Sequence, residues 1–130
     1  LVDGPGKVSL ANNTVTQSTG TCFATNNTQD SIFQGNYAFG CGGNGFDIAG
    51  QFTDGVFSSN VAVNVSGDAF RLRGDNVTFL GNNARAATGA GFQWLGVTDS
   101  VVNGNLSLSN SAGNWSGSPS GGIDTDNHHP

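Results

Sequence analysis

Apolar and polar residues alternate in short runs along this chain, and several of these runs end at a glycine. The clearest runs are residues 46–48 (Phe-Asp-Ile), 70–72 (Phe-Arg-Leu) and 92–94 (Phe-Gln-Trp), each followed within two residues by a glycine. This alternation predicts a short, half-buried β-strand, and the glycine predicts the turn that ends it. No stretch carries apolar residues three and four positions apart, so helical repeats are not expected.

The short strands recur at a fixed spacing, in five copies of one pattern. Successive aligned asparagines are 23, 24, 22 and 23 residues apart, and an aromatic residue follows each of them after ten positions. Self-similarity at such a period indicates a solenoid, in which each repeat buries its apolar side only by stacking on its neighbours. The asparagines are Asn13, Asn36, Asn60, Asn82 and Asn105, and the aromatic residues are Phe23, Phe46, Phe70, Phe92 and Trp115.

Each repeat contains three apolar segments separated by turns. One begins at the aligned aromatic residue, a second precedes the asparagine, as in residues 55–57, and a third follows it, as in residues 61–63. Three short strands and three turns per repeat describe one coil of a parallel β-helix. The sequence therefore predicts an all-β fold, a right-handed parallel β-helix of five coils of about 23 residues over residues 7–117, with an N-terminal segment at 1–6 and a flexible C-terminal tail or linker at 118–130.

The two repeated columns have predicted structural roles. Stacked coils lie about 4.8 Å apart, so the aromatic residues should form a stack and the asparagines a ladder of amides that bond to the coils above and below. Replacing a phenylalanine in the middle of the stack by alanine should cost about 3–5 kcal/mol. Replacing a ladder asparagine by leucine should cost about 1–3 kcal/mol, because neighbouring amides lose their partners.

Three phrases in the middle of the chain fit the pattern F-x-x-N-x-A. They are residues 33–38, 57–62 and 79–84, and each is followed by a glycine-containing turn and an apolar pair. The pattern resembles the repeat of the chlamydial polymorphic outer membrane proteins, and more broadly the chain is similar to right-handed β-helices of the pectate-lyase type. The Gly-Gly-Ala phrase of that repeat is replaced here by GNGF, GDAF and GAGF, and the first and last copies carry Leu10 and Val102 in place of the phenylalanine. The resemblance implies an adhesive, surface-displayed region.

Composition excludes some partners. The net charge is −5, and Lys and Arg together number four with no basic run, so nucleic acid is not expected to bind. No apolar run approaches the roughly 18 residues needed to span a membrane.

Two features indicate an extracellular or cell-surface location. Cys22 and Cys41 flank the same turn region in successive coils and are expected to form a disulfide, the alternative being two buried thiols. Six N-glycosylation sequons are present, of which the one at Asn105 belongs to the ladder and should stay unmodified. The remaining glycosylation candidates are Asn12, Asn26, Asn64, Asn76 and Asn114.

The ends of the solenoid predict assembly. Neither the Gly/Pro-broken N-terminal segment nor the Ser/Gly-rich C-terminal tail has the pattern of a cap, so the array either continues or copies stack end to end. The expected partners are copies of the chain, end to end and laterally, and surface glycans. If the alanines of the F-x-x-N-x-A phrases point inward, an apolar flank faces outward; in the opposite phase the same residues are core. The assembly candidates on that flank are Tyr37, Phe39, Val61 and Val63.

An enzyme of the β-helix type is the alternative. Such an enzyme needs convergent carboxylates, together with a basic group if it is a lyase. The candidate catalytic or sugar-binding residues are Asp47, Asp68, Arg71 and Arg73. Asp47 and Arg71 are simply explained as a cross-strand ion pair, and the recurring Asp30, Asp54 and Asp99 as turn residues. An intact lyase or glycosidase is therefore disfavoured, and the expected role is a structural module of a fibre or stalk.

No cofactor is expected. Asp124, Asp126 and Asn127 space their oxygens like a calcium loop but lack its glycine and distal glutamate, and His128 and His129 offer at most a stray metal contact.

Overall fold

The chain forms a solenoid of β-coils. A computed structural model describes residues 2–125, 127 and 128 and contains 17 strands, which are numbered β1 to β17 along the chain. Every pairing between them is parallel, and each strand inside a sheet pairs with the strands one coil before and one coil after it. The strands therefore stack into three sheets that run along the axis of the solenoid, as a parallel β-helix requires.

The first sheet contains the longest strands and the aromatic stack. Its strands bend where the register shifts, at residues 26–28 and 72–75, and the bend carries residues with positive φ such as Asn27 and Gly50. Positive φ suits glycine and asparagine, which explains these residue types at the bend. The sheet consists of β1 (Val2–Asp3), β4 (Phe23–Gln29), β7 (Phe46–Thr53), β10 (Phe70–Asp75), β13 (Phe92–Thr98) and β16 (Trp115–Ser116).

The second and third sheets are built from short strands joined at a two-residue corner, such as Gly35-Asn36. The second sheet consists of β2 (Ser9–Ala11), β5 (Ile32–Gln34), β8 (Val56–Ser58), β11 (Thr78–Leu80), β14 (Val101–Asn103) and β17 (Ile123–Thr125). The third consists of β3 (Thr14–Thr16), β6 (Tyr37–Phe39), β9 (Val61–Val63), β12 (Asn83–Arg85) and β15 (Leu106–Leu108).

The core is two columns of aromatic rings. Phe46, Phe70 and Phe92 stack with centroids 4.8–4.9 Å apart and rings within 6° of parallel, and Phe23 continues the stack above them. Trp115 continues it below at 4.8 Å, tilted by 50°. A second column, Phe33, Phe57 and Phe79, comes from the F-x-x-N phrases and packs against the first edge-to-face. The phenylalanine rings are almost completely buried and Trp115 is partly buried, so the columns are a large part of the apolar core that stabilises the rod.

A disulfide joins Cys22 to Cys41, with the two Cα atoms 5.7 Å apart. It connects the turn that leads into β4 to the turn that follows β6, and therefore fastens the first coil to the second. Cys41 is buried against the core and Cys22 packs on it from the side.

The last residues lie on the solenoid as the beginning of a sixth coil, whereas the sequence analysis assigns residues 118–130 to a flexible tail. β17 pairs with β14, Ser120 bridges to Thr98, and His128 bridges to Leu106. Asn127 accepts two hydrogen bonds from Asn105, at 2.9 Å each. The unpaired polar groups of the fifth coil's edge explain this placement, because they bond to whatever backbone follows in register. At the other end, β1 lies within the segment 1–6 and pairs with β4.

Candidate functional site

The most regular polar feature of the molecule is the asparagine ladder at the corner between the second and third sheets. Asn36, Asn60, Asn82 and Asn105 are at most 1% exposed. Each donates from its backbone N–H and from its Nδ2 to the Oδ1 of the next asparagine, at 2.9–3.1 Å. Each Nδ2 also donates to a backbone carbonyl of the preceding coil, as Asn60 does to Phe33.

This ladder has a direction, and its N-terminal end is Asn13. Asn13 donates to Asn36 through both its backbone N–H and its Nδ2, and is exposed. Its Oδ1 therefore lies at the edge of the first coil, in the position where the other ladder residues accept hydrogen bonds. Among the residues that the structure describes, none donates to it.

A second set of backbone donors points the opposite way, from each coil to the coil before it. The residue after each ladder asparagine donates its N–H to the asparagine one coil earlier: Tyr37 to Asn13, Val61 to Asn36 and Asn83 to Asn60. Leu106 and His128 repeat the bond. By this periodicity, the N–H of Thr14 is directed at the open edge. The N-terminal edge thus presents an ordered row of polar backbone groups, which is a template for another strand.

The third sheet shows which phase the F-x-x-N-x-A phrases adopt. Ala38, Ala62 and Ala84 are fully buried, so their neighbours point outward. Tyr37 is 37% exposed and stacks on Phe39 with ring centroids 6.3 Å apart. The assembly candidates Tyr37, Phe39, Val61 and Val63 therefore lie together on one outer face, and the alternative phase that makes them core is wrong.

The second sheet carries an outward apolar column that the sequence analysis missed. It is called here the aliphatic column, and its members occupy one register position in successive coils. The sequence signal was available, because the residue preceding each buried residue of the F-x-x-N phrases is usually β-branched. The members are Ile32 (43% exposed), Val56 (37%), Val101 (38%) and Ile123 (58%), with Thr78 between Val56 and Val101 and Leu80 (46%) beside it.

The candidate catalytic residues do not converge on one point. Arg71 Nη1 lies 3.3 Å from Asp47 Oδ2 on the outer face of the first sheet, as a surface ion pair would, and Asn44 donates to the same oxygen. Asp68 lies on a turn, where its Oδ1 accepts from the N–H of Ala90 at 2.7 Å. This bond links two coils, so the structure gives the Asp68 carboxylate a part in stacking.

Arg73 lines a cleft at the bend of the first sheet. The cleft has a volume of about 580 Å³. Arg73 donates through Nε to the carbonyl of Leu95, and Asp75 accepts from the hydroxyl of Thr98 at 2.6 Å. The cleft runs across four successive strands of the sheet, β4, β7, β10 and β13. Its lining residues are Asn27, Gly50, Gln51, Thr53, Arg73, Gly74, Asp75, Gly96 and Thr98.

The recurring aspartates sit at the corner between the first and second sheets. Asp30, Asp54 and Asp99 have φ of 47°, 54° and 45°, and Asn76 occupies the same corner with φ of 52°. Short polar side chains tolerate this left-handed conformation, which makes them turn residues. Asn76 also donates to Asp54 at 2.6 Å, and Lys7 forms an exposed ion pair with Asp30 at 3.4 Å.

Within the described ranges, His, Cys, Asp and Glu form no group of three or more that could hold a metal ion. Of the candidate calcium and histidine ligands named from the sequence, Asp126, His129 and the side chain of Asp124 lie outside the described residues. Over the part of the chain that is described, no helix is long and apolar enough to cross a membrane.

The sequons differ in accessibility. Asn12, Asn64 and Asn76 are exposed at corners of positive φ, and Asn26 is half-buried on the outer face of the first sheet. Asn114 is half-buried and its Oδ1 accepts from Asn110, so it is engaged inside a turn. Asn105 is fully buried in the ladder.

A family model described as the right handed beta helix region matches residues 1–115. The chain belongs to this family. The predicted fold class, an all-β right-handed parallel β-helix of five coils, is thereby confirmed, and the fine likeness to the chlamydial repeat stays a prediction. No curated protein and no solved structure matches the chain at a significant level.

Proposed function

We propose that this chain is an extracellular structural module, a subunit of a self-assembling surface fibre or adhesive stalk whose coils stack edge to edge. The observation that supports the proposal is the N-terminal edge, where the ladder ends at exposed Asn13. Thr14 is the first residue of the column whose backbone N–H groups donate to the preceding coil. An edge of this kind pairs with another parallel strand.

Stacking between copies would reproduce the bonding within a copy. The three sheets are parallel and directional, so the C-terminal edge of one copy fits the N-terminal edge of the next and no other orientation preserves the pairing. A head-to-tail contact of this type does not close on itself and therefore generates a filament. Each copy would lengthen the filament by about 29 Å, the height of six rows spaced at 4.8 Å.

The location outside the cell rests on covalent chemistry. A disulfide between Cys22 and Cys41 is stable in an oxidising compartment, and exposed sequons such as Asn12, Asn64 and Asn76 suit glycan attachment there. The resemblance to an adhesive, surface-displayed repeat points in the same direction.

Negative-stain electron microscopy of the purified chain at neutral pH tests the proposal. We expect rods longer than the roughly 29 Å that six rows span. Thr14→Pro removes the edge donor that no coil of the same copy uses, and should leave short particles. Thr14→Val is the matched control, because it keeps the N–H and the β-branched shape, and its rods should match the wild type.

Two results would contradict the stacking model. Wild-type particles of single-copy length at all concentrations would show that the edges do not pair between copies. Rods of full length in Thr14→Pro would show that assembly uses another surface. Circular dichroism of each variant verifies that the coils themselves are folded.

A second candidate, a polysaccharide-binding or polysaccharide-cleaving β-helix, is favoured by the cleft that Arg73 lines. A polyuronate would place carboxylates near the Arg73 guanidinium, which binds such groups well. Calorimetric titration with a polyuronate should then show binding that Arg73→Ala abolishes and Arg85→Ala, on the outer face of the third sheet, leaves intact. Absence of heat with the wild type would rule this candidate out for polyuronates.

A further inference from the structure

Charge is distributed unevenly around the rod. The outer face of the first sheet and its corner with the second sheet hold most of the charged side chains, namely Asp30, Asp47, Asp54, Arg71, Arg73, Asp75 and Asp99. On the outer face of the second sheet, none of the described side chains is charged, and the third sheet has Arg85 alone.

The uncharged face of the second sheet is also apolar. The aliphatic column exposes between 37% and 58% of each of its apolar side chains in coils two, three, five and six, and Leu80 adds 46% in coil four. Scattered exposed aliphatic residues are ordinary on a protein surface, but Ile32, Val56, Val101 and Ile123 share one register on a regular sheet and, with Thr78 in coil four, form a strip along the axis.

We infer that the aliphatic column is a lateral contact surface, on which two stacked filaments of this chain pack side by side with their second sheets facing each other. The inference rests on the proposed end-to-end assembly. Because both filaments present the same strip with the same spacing of coils, the contact is self-complementary, as a two-fold interface requires.

The charge distribution favours a second copy as the occupant. Each copy has a net charge of −5, and its acidic corner repels the corresponding corner of another copy. Approach through the second sheets buries side chains that carry no charge and leaves Asp30, Asp54 and Asp99 at the corner that borders the contact. An anionic membrane surface would gain no electrostatic attraction here, because the face offers no cation.

The area of the face explains why filaments pair and single copies do not. A strip of three-residue strands over six rows covers about 290 Å², from strand rises of ~3.3 Å and row spacings of ~4.8 Å. A stable interface needs about 800 Å² on each partner. Roughly three stacked copies are therefore required before the strips of two filaments hold together, so pairing should begin only above that length.

The experiment measures rod width as well as rod length by electron microscopy. Wild-type rods of three or more copies should be paired. The double variant Val56→Lys, Val101→Lys places two charges in the aliphatic column and should give single rods of unchanged length. The control Ala24→Lys, Gln29→Lys adds the same charge on the outer face of the first sheet and should keep the pairing.

The outcomes separate this inference from the proposed function. Long single rods of wild type, or paired rods of the Val56/Val101 variant, would overturn lateral packing and leave end-to-end stacking standing. Absence of rods would overturn both, because one copy offers too little area. Binding of the wild type to uncharged phosphatidylcholine vesicles, lost in the Val56/Val101 variant, would assign the strip to a lipid surface and also overturn the inference.

Discussion

A single ladder asparagine takes part in bonds to both neighbouring coils. Asn60 donates three hydrogen bonds and accepts three, two at its Oδ1 from Asn36 and one at its backbone carbonyl from the N–H of Asn83. Because this corner is fully buried, loss of the amide leaves the donors of Asn36 without an acceptor. The position of Asn60 is therefore fixed by hydrogen bonds to the coils on both sides, and the same bonds recur at each ladder asparagine.

Asn60→Leu should lower the free energy of unfolding by about 1–3 kcal/mol, the cost of leaving buried donors unsatisfied. Urea denaturation followed by circular dichroism measures the change. Asn103→Leu, on the outer face of the second sheet, is the control and should change stability by less than about 0.5 kcal/mol. Equal effects of the two substitutions would contradict a structural role of the ladder.

The same scale shows what the sequence could predict about individual residues. The columns that contain Asn60 and Phe70 could be predicted from the sequence, because all five copies carry an asparagine or an aromatic residue at those positions. Asp68 accepts from the N–H of Ala90 just as Asn44 accepts from the N–H of Asp68, but the sequence shows only that the two residues share a column and gives no sign of this bond between coils. The outward phase of Tyr37 was also undecided, since Val-Ala-Val alternation is apolar on both faces.

At the scale of an element, the first two coils differ from the rest by a covalent link. The Cys22–Cys41 disulfide closes a loop with a sequence separation of 19 that contains β4, β5 and β6 and the turns between them. It compensates for a first coil whose inward residues Val8, Leu10 and Val15 are only partly buried.

Reduction of the disulfide should lower the free energy of unfolding by about 3 kcal/mol, from the entropy of a loop of this length in the unfolded chain. Urea unfolding curves with and without a reductant measure the shift. The double variant Cys22→Ala, Cys41→Ala should be as stable as the reduced protein and insensitive to the reductant. An effect of the reductant on that variant would show that the change in the free energy of unfolding does not come from the disulfide.

One element could have been predicted and was not. Asn127 follows Asn105 by 22 residues, a spacing within the range of the other copies, and marks a sixth row. The glycine, serine and proline of residues 116–122 conceal it, because they have the composition of a linker. For this segment, the repeat spacing predicts the structure better than the amino-acid composition does.

At the scale of the whole molecule, the solenoid is a sum of nearest-neighbour contacts. Strands pair with the coil before and the coil after, and the aromatic columns likewise touch adjacent coils. Stability should therefore scale with the number of coils, and one coil should be removable without loss of the fold.

Deletion of residues 70–91 tests this modularity. It joins Ala69 to Phe92 and brings Phe46 under Phe92, so every column stays in register. The shortened chain should keep a β-rich circular dichroism spectrum and unfold cooperatively at a lower urea concentration. Deletion of residues 70–80, which removes about half a coil, should abolish folding because the sheets no longer align. Similar behaviour of the two deletions would contradict the solenoid account.

The disulfide also determines how the rod would yield to mechanical tension. A chain pulled by its two ends unwinds from the termini, and unwinding from the N-terminus is interrupted when the force reaches Cys22, which is tied to the second coil. The C-terminal coils have no such tie in the described chain and should peel first, each lengthening the molecule by roughly 75 Å as its residues extend at ~3.3 Å apiece. A stalk made of such modules would extend by unwinding the C-terminal coils of each copy, while the disulfide-linked N-terminal coils stay folded.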